Sequence, residues 1–112
     1  MQTRIVWTTQ PVNDHALRRF AEAYGGYWND VVGDEVVIER GVARVFVSSA
    51  LADDETNVMP DDVARVASRI GQVPASMVSF RIGHANGSTR LAEDLATRAV
   101  KEWGGFWDRN EP

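Results

Sequence analysis

Apolar positions recur along this chain with two different periods, and the switches between them divide it into elements. Leu17, Phe20, Ala21 and Tyr24 stand at i, i+3, i+4 and i+7, the spacing of one helix face. They predict a helix over Asp14 to Tyr24 with Asn13 or Asp14 as its cap. Val63, Val66, Ala67 and Ile70 repeat the pattern in a second helix. Pro60 suits its first position and Gly71 stops it. Leu91, Ala92, Leu95, Ala99 and Trp103 line a third and longest helix, opened by Gly87-Ser88 with Ser88 as the expected cap. Elsewhere the period falls to two. In Ser76 to Gly83, Val78, Phe80 and Ile82 alternate with Met77, Ser79 and Arg81, a strand with one apolar face.

Further strands are expected at Arg4 to Thr8, Tyr27 to Val32, Glu35 to Glu39, Arg44 to Ser48 and Phe106-Trp107. Short Gly-containing turns at Gly33-Asp34 and Arg40-Gly41 join the middle three as an antiparallel meander. The order is therefore β-α-β-β-β-α-β-α-β. That order predicts an α+β fold: a single-layer, mainly antiparallel sheet with helices packed on one face. No linker or low-complexity run interrupts residues 1–112, so one domain is expected.

One phrase is written twice. Ala23-Tyr24-Gly25-Gly26-Tyr27-Trp28-Asn29-Asp30 returns as Glu102-Trp103-Gly104-Gly105-Phe106-Trp107-Asp108-Arg109, and Arg19 and Arg98 precede the two Trp residues by the same step. Each copy ends a helix at a Gly pair, which supplies the left-handed cap. Each then starts an aromatic strand. Ancient duplication and convergence on one helix-stop-strand device both account for it. Trp28 and Trp107 should share a side of the sheet. Exposed there, they would be interface anchors; buried, they would be core.

Composition narrows the class. The chain is 112 residues long and 44% apolar, with four Trp, four Phe and two Tyr, enough for a true core. It contains no cysteine, so neither a disulfide framework nor thiol chemistry is expected. No stretch of about 18 apolar residues suggests a membrane span, and the N-terminus does not resemble a signal peptide. A soluble, cytoplasmic protein is the expectation. The net charge of −4 weighs against direct nucleic-acid binding, whose affinity comes largely from phosphate neutralisation. Eleven of the twelve basic residues are Arg, a bias that genome composition or bidentate pairing could produce.

The densest charge lies at Asp53, Asp54, Glu55, Asp61 and Asp62: five carboxylates within ten residues, with no Lys or Arg between Ala50 and Ala64. Such crowding is unfavourable unless a cation or a basic partner meets it. A solvated loop leading into a helix start, which favours Asp, is the simple reading. A basic protein partner is the sharper one. A divalent cation fits less well, since the spacing matches no Ca²⁺ loop. A second candidate is Gly83 to Arg90, where backbone N–H groups with Ser88, Thr89 and Arg90 could hold an anion. An Asn-Gly turn with a Ser cap explains the same residues, and the spacing is that of neither a P-loop nor a dinucleotide fingerprint. His15 and His84 are the only histidines, and neither sits in a recognisable catalytic or metal motif. No catalytic residue, metal site or cofactor is therefore expected.

Ile82-Gly83-His84-x-x-Gly87-Ser88, followed by Leu91-Ala92, Leu95-Ala96 and Trp103-Gly104-Gly105, resembles the small immunity proteins of bacterial polymorphic-toxin systems, most closely those of contact-dependent growth inhibition. The resemblance covers mainly Ile82 to Asp108, with an echo at Tyr24 to Asp30. It implies a protein that binds and neutralises a cognate toxin C-terminal domain in the cytosol. Because the toxin-facing surface varies within that family, no binding residue transfers by motif. Many such toxins are nucleases with basic surfaces, and the carboxylates at 53–55 and 61–62 would match one. The alternative is a small-molecule-binding regulatory domain using the Gly83–Arg90 loop; an enzyme ranks behind both.

Overall fold

The computed structural model describes residues 2–29, 35–51 and 60–108. Six strands and three helices follow in the order β1 (Thr3–Thr8), α1 (Asp14–Ala23), β2 (Tyr27–Trp28), β3 (Val36–Arg40), β4 (Ala43–Leu51), α2 (Pro60–Ile70), β5 (Ser76–Ile82), α3 (Ser88–Trp103) and β6 (Phe106–Asp108). The strands form one open sheet in the order β2-β3-β4-β5-β1-β6, and every neighbouring pair is antiparallel. The α+β class, the antiparallel sheet and the element order are those the periodicities predict.

Alternation sorts the side chains into two faces. Val6 of β1, Val36 and Ile38 of β3, Val45 and Val47 of β4, and Val78, Phe80 and Ile82 of β5 point to one side. There they meet Leu17, Phe20 and Ala21 of α1, together with Leu91, Ala92, Leu95, Ala96, Ala99 and Trp103 of α3. The helical stripes read from the sequence are these buried residues. Phe20 forms the joint between the two helices and the sheet, its ring centroid 4.8 Å from Trp103, 4.9 Å from Tyr24 and 6.5 Å from Phe80.

The expectation that the helices pack on one face holds for α1 and α3 and needs correction for α2. That helix lies against the opposite side, where Val66 packs with Trp7, and Val63 and Ile70 join Ile5, Ala50, Met77 and Phe106 around that pair. The cause is visible in β1: Ile5-Val6-Trp7 is apolar without alternation, so a strand paired on both edges presents large side chains on both sides. Both sides must then be covered.

The repeated phrase acquires a meaning here. Through α1 and Gly25-Gly26 it delivers β2 to one edge of the sheet, and through α3 and Gly104-Gly105 it delivers β6 to the other. Both helices lie on the same face, and the two crossovers run in opposite directions across it. The copies terminate their helices differently. After α1, the Gly26 N–H donates to the Ala21 carbonyl at 2.6 Å and that of Gly25 to Glu22 at 3.3 Å, the paired bonds of a Schellman motif. After α3, both glycines have positive φ, 74° and 99°. A Cβ on Gly105 would run into the Trp7 carbonyl oxygen of β1. Gly25 also has positive φ, 79°, but faces open space.

The two sites should separate in a substitution series. Gly25→Ala carries only the left-handed backbone penalty, about 1–2 kcal/mol. Gly105→Ala adds a collision with backbone to its strain, for roughly 3 kcal/mol or more. Urea unfolding of the two variants checks this, and equal losses would refute it.

Candidate partner-binding site

The acidic segment lies between β4 and the first turn of α2 in the sequence. Asp53, Asp54 and Glu55 lie outside the described residues. Asp61 and Asp62 belong to the first turn of α2, where the helix dipole favours negative charge.

Helix α2 is anchored lightly. Val66 is its one fully buried apolar side chain among those described, against six apolar residues of α3. A polar clasp supplements it. Arg65 of α2 pairs with the Asp108 carboxylate at 2.6 Å, and the Trp7 indole N–H donates to the same oxygen at 3.2 Å. Asp108 is only 5% exposed, so the clasp joins α2, β1 and β6 in a largely dry setting. Beside it, Arg69 stacks over Phe106 at 5.2 Å.

The other acids in ion pairs find arginines within the fold. Glu35, buried next to β3, meets Arg81 at 3.3 Å and accepts from the Asn29 amide at 2.9 Å. Glu39 lies 3.5 Å from Arg44 and also accepts the Tyr27 hydroxyl proton at 2.8 Å; this bond to a carboxylate pushes the phenol up from its ordinary value. Glu93 meets Arg4 at 3.6 Å. Asp94 holds both Arg40, at 2.9 Å, and Arg98, at 3.3 Å. The Arg40 hydrogen bond foremost, then those to Arg98, keep the Asp94 carboxyl below its ordinary value. Six of the arginines thus neutralise the protein's own carboxylates. The run from residue 53 to 62 contains five acids and no base, so its excess charge must be met from outside the segment.

The second candidate, Gly83 to Arg90, contains no side-chain cap. Gly87 takes the N-cap position of α3 with φ 88°, and no side chain bonds there. Ser88, expected as the cap, is 1% exposed, and its hydroxyl accepts the Arg44 N–H at 3.0 Å. The hydroxyl ties the helix start to β4 instead, because the loop passes directly over the end of that strand. A hollow of about 390 Å³ lies beside the loop, with Arg44, Phe46, Gly83 and His84 in its walls; Thr89 and Arg90 do not reach it.

Trp28 and Trp107 do share the α1–α3 side of the sheet, and both are half-buried against the main core. The Arg18 guanidinium covers Trp28 at 4.2 Å. They are packing residues more than anchors. His15 and His84 are exposed. Among the described residues no group of three or more His, Asp or Glu is placed to hold a metal ion, and no helix is long and apolar enough to cross a membrane. Sequence reading missed the Arg65–Asp108–Trp7 clasp entirely; the only hint was Asp108 following two aromatics in the repeat. Comparison with family models, with curated proteins and with solved structures finds no match in any of the three.

Two outcomes follow. Asp108→Ala leaves the buried Trp7 N–H without this acceptor and frees Arg65, for a loss of about 1–3 kcal/mol. Arg65→Met removes a partner that is 44% exposed and should cost no more than about 1 kcal/mol. Urea unfolding ranks the two, and the reverse order would disprove the role given to Trp7. Asp94 should titrate below an ordinary Asp by carboxyl NMR, and Arg40→Ala should raise it. Since the folded form holds this proton less tightly, the stability it contributes is present at neutral pH and disappears as pH falls through the folded value.

Proposed function

We propose that this chain is an inhibitor that binds a basic protein domain, acting as the immunity partner of a toxin. The observation that carries this reading is the placement of charge. The folded body pairs carboxylates with its own arginines, whereas Asp53, Asp54, Glu55, Asp61 and Asp62 form a base-free run at the head of α2. A concentrated negative patch on an otherwise balanced domain suits electrostatic steering toward a positive surface. A nuclease, which must present basic groups to phosphates, offers such a surface. Covering it would block substrate access without any chemistry by the inhibitor. The resemblance of Ile82 to Asp108 to immunity proteins supports the same reading, and a cytosolic site of action accompanies it.

In this mechanism the sheet and α3 are the rigid body, and α2 carries the carboxylates to the partner. The clasp through Arg65 and Asp108 ties α2 to β1 and β6. Rim charges act mainly on the association rate, so the interaction should weaken steeply with salt.

The test is co-purification with the domain encoded immediately upstream, followed by stopped-flow association. A one-to-one complex is expected, with the free domain toxic when expressed alone. Asp54→Lys combined with Asp61→Lys should slow association about tenfold or more at low salt. A harmless neighbour that does not bind would overturn the function, and unchanged kinetics would remove the patch from the interface.

A further inference from the structure

On the helical side of the molecule a groove of about 480 Å³ runs between α1 and the end of α3, within the usual size range of small-molecule sites. Phe20 and Trp103, each 5% exposed, close its floor. Ala16 and the half-buried Tyr24 add apolar wall. At the same groove stand two opposite charges, Arg19 of α1 and Glu102 of α3.

Neither charge is used by the fold. Among the described residues, ten arginines are visible: six make ion pairs, and Arg18 and Arg69 cover aromatic rings. Only Arg19 and Arg90 make none of these contacts, and of the two only Arg19 lines a cavity described here. The internal repeat offers a comparison, in which the place of Asp94, four residues before Arg98, is taken by His15 before Arg19. Arg98, at the position equivalent to Arg19, bonds Asp94 at 3.3 Å and covers the Tyr24 ring at 5.1 Å. Arg19, one helix away, lines the groove instead. Glu102 likewise has no ion pair, although it borders the same groove.

We infer that this groove binds a free α-amino acid with a large apolar side chain. A simple anion would be drawn by Arg19 and repelled by Glu102, and a simple cation the reverse. A zwitterion satisfies both, its carboxylate on the guanidinium and its ammonium on the glutamate. Its side chain would lie along the Tyr24, Ala16 and Phe20 wall, removing apolar surface from water. The groove is on the face opposite α2, and the inference stands independently of the inhibitor reading.

The test is an amide NMR titration of the full chain with L-phenylalanine, with L-phenylalaninamide and N-acetyl-L-phenylalanine as comparisons. Saturable shifts confined to α1 and the last turns of α3 are expected. Each analogue, lacking one charge, should bind about tenfold more weakly. Arg19→Gln should abolish the preference over the amide, and Glu102→Gln the preference over the acetylated form. Both positions are exposed, and unchanged urea midpoints would verify that the variants fold. Absence of saturable shifts in the millimolar range overturns the inference. So does binding that ignores either charge or either substitution.

Discussion

The strand Thr3–Thr8 sits one place from the edge of the sheet and is apolar on both sides, and the rest of the architecture answers that constraint. Val6 is buried beneath α3 and its neighbours, while Trp7, the next residue along the strand and pointing to the other side, is buried beneath α2. A single helical layer would leave the Trp7 side of the sheet in water, with a loss of order 2 kcal/mol for each large side chain uncovered. Hence α2 covers the other face, and β6 closes on β1 with Phe106 opposite Trp7. The carbonyl of Trp7 also admits only glycine at 105. One residue thereby sets the cover of one face, the register of the last strand and the chemistry of the turn that precedes it.

Charge follows a similar economy of place. Buried or half-buried carboxylates occur where an arginine from a distant segment arrives: Arg81 for Glu35, Arg65 for Asp108. These pairs stabilise modestly, because the guanidiniums remain partly in water, but they orient the elements that carry them. Arg81 additionally lies 4.7 Å over the Phe46 ring, so its position is set by packing as well as by charge. Among the described residues, Arg19 and Glu102 border the groove on the α1–α3 face without an ion pair of their own.

Much of this fold is legible in the chain because helices and strands are written in short-range periodicity. The stripe Leu17–Phe20–Ala21–Tyr24 and the alternation of Val78, Phe80 and Ile82 are local facts, each specifying a face before any partner is known. The Gly pairs also mark their helix ends by local backbone demand. The acidic run is legible for the same reason, since charge density needs no tertiary information.

Strand order, the side taken by α2 and the partners of Glu35, Glu93 and Asp108 were decided by tertiary structure alone. Trp7 and Asp108 are separated by 101 residues, and no periodicity links positions so far apart. Ser88 illustrates the same limit at short range: its sequence context is that of a helix cap, yet the close passage of β4 gives its hydroxyl a different donor. Arg19 and Arg98 occupy equivalent places in a repeated phrase; Arg98 has Asp94 four residues earlier on its own helix where Arg19 has His15, and the packing of α1 against α3 then makes Arg19 the wall of a groove. The sequence by itself determined which residues must leave water; where they could meet was determined by the one sheet able to cover both sides of its Ile5-Val6-Trp7 strand.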